Sequence, residues 1–257
     1  MGAHTTWFHL IPGYQNFEQW AQQYLERKWR WPILFTDTSF TMSHVMISGF
    51  IVVLLIVAAL SYRGRIGKEN KERLIPEKKL GNRNFFELIV EATLSLAEGV
   101  MGRKKAERYF PLIGTLVFFI LFNNLIGLVP GFVPATDTLK TNLALSLLVF
   151  VLTHVYGVAE HGISYFKHFA GPLWYLAPLM IPIEIISHIA RPVSLSLRLM
   201  GNIFADHKVV SSFFVLVPIL VPLPFMILGI LVSVVQTLVF TLLTMVYIDL
   251  AVAHEEH

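Results

Sequence analysis

Hydrophobic and polar positions divide the chain into long apolar runs and one shorter amphipathic segment. The first run, residues 42–60, is broken only by small residues and His44, and it stops abruptly at Arg63, Arg65 and Lys68. Residues 85–102 set Phe85, Ile89, Val90, Leu94, Leu96 and Val100 against Glu87, Glu91, Ser95 and Glu98. Three glutamates make a poor crossing but a good amphipathic helix, expected flat on the membrane surface. A second run covers 110–129 and closes at Pro130-Gly131, and a third covers 143–159. From 176 to 248 the chain is nearly continuously apolar, broken by Pro218, Pro222 and Pro224. Such a proline cluster predicts a hairpin between two long helices. The stretch 225–248 alone reaches ~36 Å as a helix, enough to cross with tilt. The expected fold is an all-α integral membrane protein. It has about five membrane-crossing helices plus one surface amphipathic helix, the last two crossings being long and tilted as a hairpin.

Composition agrees with the pattern. Of 257 residues, 55% are hydrophobic and 14% charged, with a mean hydropathy of +0.63. Soluble domains carry about 25% charged residues, so the natural solvent here is the bilayer. The absence of cysteine excludes disulfides, a thiolate nucleophile and zinc–thiolate sites. His254 and His257 flank Glu255 and Glu256 three apart, whereas zinc capture on one helical face needs four. No metal or cofactor is expected, and no pattern points to nucleic acid. Residues 1–40 mix Trp7, Trp20, Trp29 and Trp31 with Glu18, Glu26, Arg27 and Lys28, which suits an interfacial segment rather than a cleavable signal.

Charge distribution orients the chain. Residues 63–108 hold 12 of the 20 Lys and Arg, and so are expected in the cytoplasm. Five crossings then place the N-terminus outside and the C-terminus inside. Three parts are expected: an external interfacial segment over 1–41; the first span, basic loop and amphipathic helix over 42–108; and an ion-channel domain over 109–257. The expected location is the bacterial cell inner membrane.

The fourth hydrophobic region carries Glu184, His188, Arg191, Arg198, Asp206, His207 and Lys208, although each charge costs on the order of 3 kcal/mol near the bilayer centre. Glu184, Arg191 and Arg198 recur every seven residues, drifting only ~20° per step. Ser187, Ser194 and Asn202 fall on the same side. Together with Asp206 they form one polar stripe about 33 Å long, opposite a face of Leu, Ile, Val and Met. Internally paired glue would account for such a stripe, but it requires close acid–base partners. Arg198 has Ser194, Leu195, Gly201 and Asn202 as helical neighbours and no carboxylate within a turn. An arginine does not shed its proton to escape the cost. The stripe therefore points to a fixed cation beside an ion path. On the last helix Ser233, Gln236, Thr237, Thr241 and Thr244 form a weaker stripe, whose hydroxyls suit helix packing. Gln236 is the member with a candidate functional role. His161 and His168 are expected in an interfacial loop, with Glu160 a candidate for a polar cytoplasmic entrance.

The segment Arg191-Pro-Val-Ser-Leu-Ser-Leu-Arg198-Leu-Met-Gly-Asn202-Ile-Phe-Ala closely resembles the signature of subunit a of the F-type ATP synthase. Pro134-Ala-Thr-Asp137, Glu184, Gln236 and the ending from Val246-Tyr247 to His257 add to the resemblance, which covers 110–257 well and the N-terminal third by layout. The resemblance implies a non-catalytic stator subunit beside a rotating ring of c subunits, with peripheral-stalk b subunits and the remainder of the complex as partners. It implies that Arg198 faces the ring carboxylate, with Asn202 and Gln236 beside it. Ser187, His188, Ser194, Asp206 and His207 join Glu184 as ion-path candidates. His207 takes a family position usually acidic or histidine. Gly229 stands where many members are ionisable, and Asp206 where glycine is common, so an ionisable group has crossed the helix pair. Run direction alone puts Glu184 near the cytoplasmic end; the resemblance places it in the half-channel open to the outside, and that is the expectation taken here. A self-contained secondary ion or anion transporter is the alternative, but it calls for inverted repeats that are absent. An intramembrane hydrolase would need a nucleophile–base pair that the chain lacks.

Overall fold

The computed structural model describes residues 10, 12–25, 43–65, 82–129, 132–162, 165, 177–216 and 222–253. Their regular structure is helical: α1 (Tyr14–Leu25), α2 (Ser43–Arg65), α3 (Asn82–Met101), α4 (Arg103–Ile126), a 3-10 turn (Ala135–Asp137), α5 (Leu139–His161), α6 (Ala177–Leu216) and α7 (Pro222–Val252). The chain is an all-α membrane protein. Four helices among the described residues are long and apolar enough to cross, within α2 (Ser43–Ser61), α4, α5 and α7. The fifth expected crossing is α6. Its 40 residues reach about 60 Å, twice the ~30 Å of hydrocarbon. It is not among those four, and so long a helix would fit within the apolar layer only if inclined.

The amphipathic segment forms α3, which folds back along α4 through Gly102 at φ 75, a left-handed conformation that favours glycine. Ala97 and Met101 pack there with Ala106, Tyr109 and Ile113 of α4 and with Met245, Ile248 and Val252 of α7. A second core joins four helices: Leu116 and Ile120, Val149, Leu195 with Leu199 and Ile203, and Phe240. A third sets Ile47 and Ile51 of α2 against Ala135 at the other end of α4.

Several boundaries differ from the sequence expectation for identifiable reasons. The 110–129 run begins helical at Arg103, where Arg103 meets Glu107 one turn on at 3.0 Å. Glu160 and His161, expected in a turn, close α5, because Glu160 reaches Arg108 of α4 at 2.9 Å. Pro222 opens α7, where its missing N–H costs no helical bond. Pro182 and Pro192, by contrast, lie inside α6. The proline hairpin at 217–221, the basic loop 66–81, His168, His254 and His257 lie outside the described residues.

Candidate functional site

Cross-contacts fix how the helices run past one another. Phe213 stacks on Phe225 at 4.5 Å, and the Arg191 guanidinium lies 5.3 Å from the Tyr247 ring centroid, so α6 and α7 are antiparallel. Lys105 to Asp249 at 2.6 Å, and the Asn124 amide donating to the Ser233 carbonyl at 3.4 Å, set α4 antiparallel to α7. His154 and His188 bring α5 against α6, with ring centroids 5.2 Å apart.

On this frame α6 has two faces. Leu195, Leu199 and Ile203 are buried in the second core, Leu199 at only 1% exposure. Ser194, Arg198 and Asn202 are exposed on the outward side. Among the described residues Arg198 forms no hydrogen bond and no ion pair. Gln236 is 6% exposed. The α6–α7 register sets it level with the stretch between Arg198 and Asn202, so those three share one depth.

Two clefts lie on either side of that depth. The first, about 310 Å³, is lined by Ser146, Thr153 and His154 of α5, His188 and Arg191 of α6, and Tyr247 of α7. His188 Nε2 stands 3.8 Å from Glu184 Oε1. The second, about 280 Å³, is lined by Asn124, Pro134, Asp206, His207 and Ser233. Its wall is braced by Thr136 donating to the Asn124 side-chain carbonyl at 2.7 Å and by Asn142 donating to the Thr136 carbonyl at 2.6 Å. Along α6 the first cleft stops at Leu195 and the second begins at Ile203. Arg198 lies between them.

Asp206 sits directly on Gly229 of α7. A Cβ at that glycine would come within 2.6 Å of both Asp206 Oδ2 and Leu128 Cδ2. The carboxylate therefore occupies space that any side chain at 229 would need. This is the physical counterpart of the exchange between these two positions that the resemblance implies.

A family model for the ATP synthase A chain matches residues 45–249. The chain belongs to this family. ATP synthase subunit a 1 of Syntrophotalea carbinolica is 52% identical over 205 residues, covering 80% of this chain and 83% of that protein. ATP synthase subunit a of Bdellovibrio bacteriovorus is 42% identical over 226 residues, 88% of this chain and 98% of its own length. That of Sorangium cellulosum is 48% identical over 213 residues, 83% of each chain.

Within this family member the expected stripe divides. Arg198, Asn202 and Gln236 come together at one level, and Asp206 and His207 line the second cleft. Glu184, Ser187 and His188 lie towards the opposite end. Glu184 stands away from the 134–138 loop, at the end of the bundle marked by Arg108–Glu160 and Lys105–Asp249, the placement that run direction alone gives. Antiparallel pairing with α5 decides this, because His188 is held against His154, two turns before the end of α5. Inclination shifts a helix sideways without reversing which end is which.

The hydroxyls of α7 turn inward on their own helix. Thr237 donates to the Ser233 carbonyl at 2.7 Å, Thr241 to Thr237 at 2.8 Å and Thr244 to Phe240 at 2.9 Å. Asn124, His154 and Tyr247 belong to the site although they lie outside the stripe. Asn124, next to Asn123, and His154, next to Thr153, are strongly polar groups within the apolar runs 110–129 and 143–159, and that is the signal by which sequence alone finds them.

Proposed function

We propose that this chain is the stator ion-channel subunit of a rotary F-type ATP synthase, forming two offset aqueous half-channels that pass protons to and from the carboxylates of a rotating c-ring. The subunit is non-catalytic. Its partners are the c-ring, the peripheral-stalk b subunits, the remaining complex and membrane lipid. The N-terminus is outside and the C-terminus cytoplasmic, so the first cleft belongs to the cytoplasmic half-channel and the second to the outer one.

The observation that carries this reading is the position of Arg198: outward-facing, unpaired among the described residues, and set between two clefts. A carboxylate crossing the membrane is costly as an anion and far less so when protonated. Beside Arg198 the anion is stabilised, so a ring site gives up its proton there. Asn202 and Gln236 supply polar contacts at the same depth. The permanent cation repels protons, and Leu199 closes the space behind it. A proton therefore passes between the half-channels only by riding the ring. Ser194 extends the polar face towards the cytoplasmic cleft; Asp206 and His207 serve the outer one.

The test is ATP-driven quenching of a pH-sensitive dye in inverted vesicles, with complex content checked by blotting. Arg198→Ala should abolish pumping while the complex still assembles, since removing an intramembrane charge lowers the insertion cost. Robust pumping by this variant at normal complex levels would overturn the proposal.

A further inference from the structure

We infer that His154 of α5 is a proton-transferring residue of the first cleft, working in series with His188 and Glu184 of α6. The inference rests on the two-half-channel reading above and adds a member from a different helix.

His154 Nδ1 lies 2.8 Å from the Phe150 carbonyl oxygen. A carbonyl only accepts, so Nδ1 carries the hydrogen and Nε2 of the neutral ring is the proton acceptor. The ring is held from several sides. Phe150 packs at 4.2 Å between centroids, and Tyr165 meets it edge-on at 5.8 Å. Tyr165 fits only because position 157 is glycine, where a Cβ would run into the tyrosine ring. A ring merely filling space needs no such placement against a second imidazole. Yet His188 stands 5.2 Å away with its plane turned by 80°, and both line the same cleft. Among the described residues, the charged and titratable groups facing the pair are Glu184 and Arg191 of α6, Tyr247 of α7 and Tyr165.

The series runs outward along the cleft. Thr153 and Ser146 donate to backbone carbonyls, leaving their oxygens able to accept from water deeper in. A proton arriving from the ring side adds to His154 Nε2, giving an imidazolium whose Nδ1–H stays on Phe150. It leaves from Nε2 to His188, directly or through one water, and from His188 Nε2 to the Glu184 carboxylate. Glu184 releases it to bulk water at the end of the bundle. Each group returns to its starting charge, and the reverse order serves pumping in the other direction. Arg191 beside the pair disfavours two simultaneous imidazolium ions, so protons pass singly.

The experiment uses the assembled synthase in inverted vesicles and measures passive proton conductance of the membrane sector after removal of the catalytic head, across pH 5 to 8, where free imidazole titrates. Positioned proton transfer is worth on the order of 10²-fold or more, so His154→Ala should lower conductance by at least about tenfold. Added imidazole should restore several-fold of it, and the histidine-dependent part of the pH profile should disappear. His154→Gln, close in size, keeps the test valid if alanine impairs assembly; it should conduct as poorly, without rescue. Unchanged conductance in either variant would overturn the assignment. So would a loss that imidazole does not rescue in the alanine variant and that leaves the pH profile unaltered. Arg198→Ala, assayed for ATP-driven pumping in vesicles that keep the catalytic head, separates the two readings. If it pumps normally, the stator reading fails; if it is inactive while His154→Gln conducts normally, only the histidine series fails.

Discussion

The outward face of α6 and the inward seam of α7 are both rows of polar residues in an apolar setting, yet they solve the cost of polarity in opposite ways. On α7 the threonines are buried and spend their hydrogens on carbonyls of their own helix. No hydrogen is left over for a partner, and the seam serves close packing. On α6, Ser194, Arg198 and Asn202 are exposed, and the arginine meets no counter-charge among the described residues. A guanidinium has five donors and a charge it keeps at any physiological pH. Its own backbone satisfies neither. The contrast separates polarity satisfied within its own helix from polarity left for something outside it.

The comparison breaks most sharply at Arg198. Arg198→Lys keeps a cation but loses the planar fork and accepts deprotonation when buried, so pumping should fall nearly as far as in Arg198→Ala. Near-normal pumping by the lysine variant would reduce the site to charge alone. A smaller but still large loss is expected of Gly229→Val, whose side chain would collide with Asp206 and Leu128. Combining it with Asp206→Gly should recover much of the lost complex content, though not the pumping that Asp206 serves, a non-additivity that only direct contact gives. If the double variant is no better than the single one, the two positions do not share that space. Glu184→Gln should slow ion-driven synthesis several-fold without altering complex content, in keeping with general acid–base contributions of ~10²-fold at their low end and bypass by water. A cysteine at 184 should be reached by silver ions from the cytoplasmic side; reaction only from outside would return this residue to the outer half-channel. The smallest effect belongs to the seam. Thr244→Val should leave pumping intact and change stability by about 1 kcal/mol or less, and a severe pumping defect there would erase the distinction between the two rows.

Much of the fold could be read directly from the runs. The apolar lengths of α2, α4, α5 and α7 and the mixed face of α3 each specify a helix without reference to neighbours. The seven-residue recurrence of Glu184, Arg191 and Arg198 likewise placed the stripe on one helix. What remained hidden depends on pairing. Glu184 looked reachable from the outer side because inclination seemed able to carry it there, and only the contact between His154 and His188 sets its end of the bundle. His154 itself is a lone histidine in an apolar run, a pattern that ordinary packing also produces. Asn124 gained meaning only when Thr136 and Ser233 proved to be its partners. Hydropathy records what a helix prefers around it and carries no record of which helix supplies it.

The dry partition around Leu199 also has an electrical consequence. On the half-channel reading proposed above, water in both clefts would hold each near the potential of the solution it opens to. The membrane voltage would then fall across the stretch from Leu195 to Ile203, no more than about 12 Å along α6, instead of across ~30 Å of hydrocarbon. The work per charge is unchanged at about 2.3 kcal/mol per 100 mV, but it is delivered over less than half the distance. On that reading the local field is more than doubled, and it acts at the depth of Arg198. Two shallow clefts and one leucine would then act as a lens for the membrane potential.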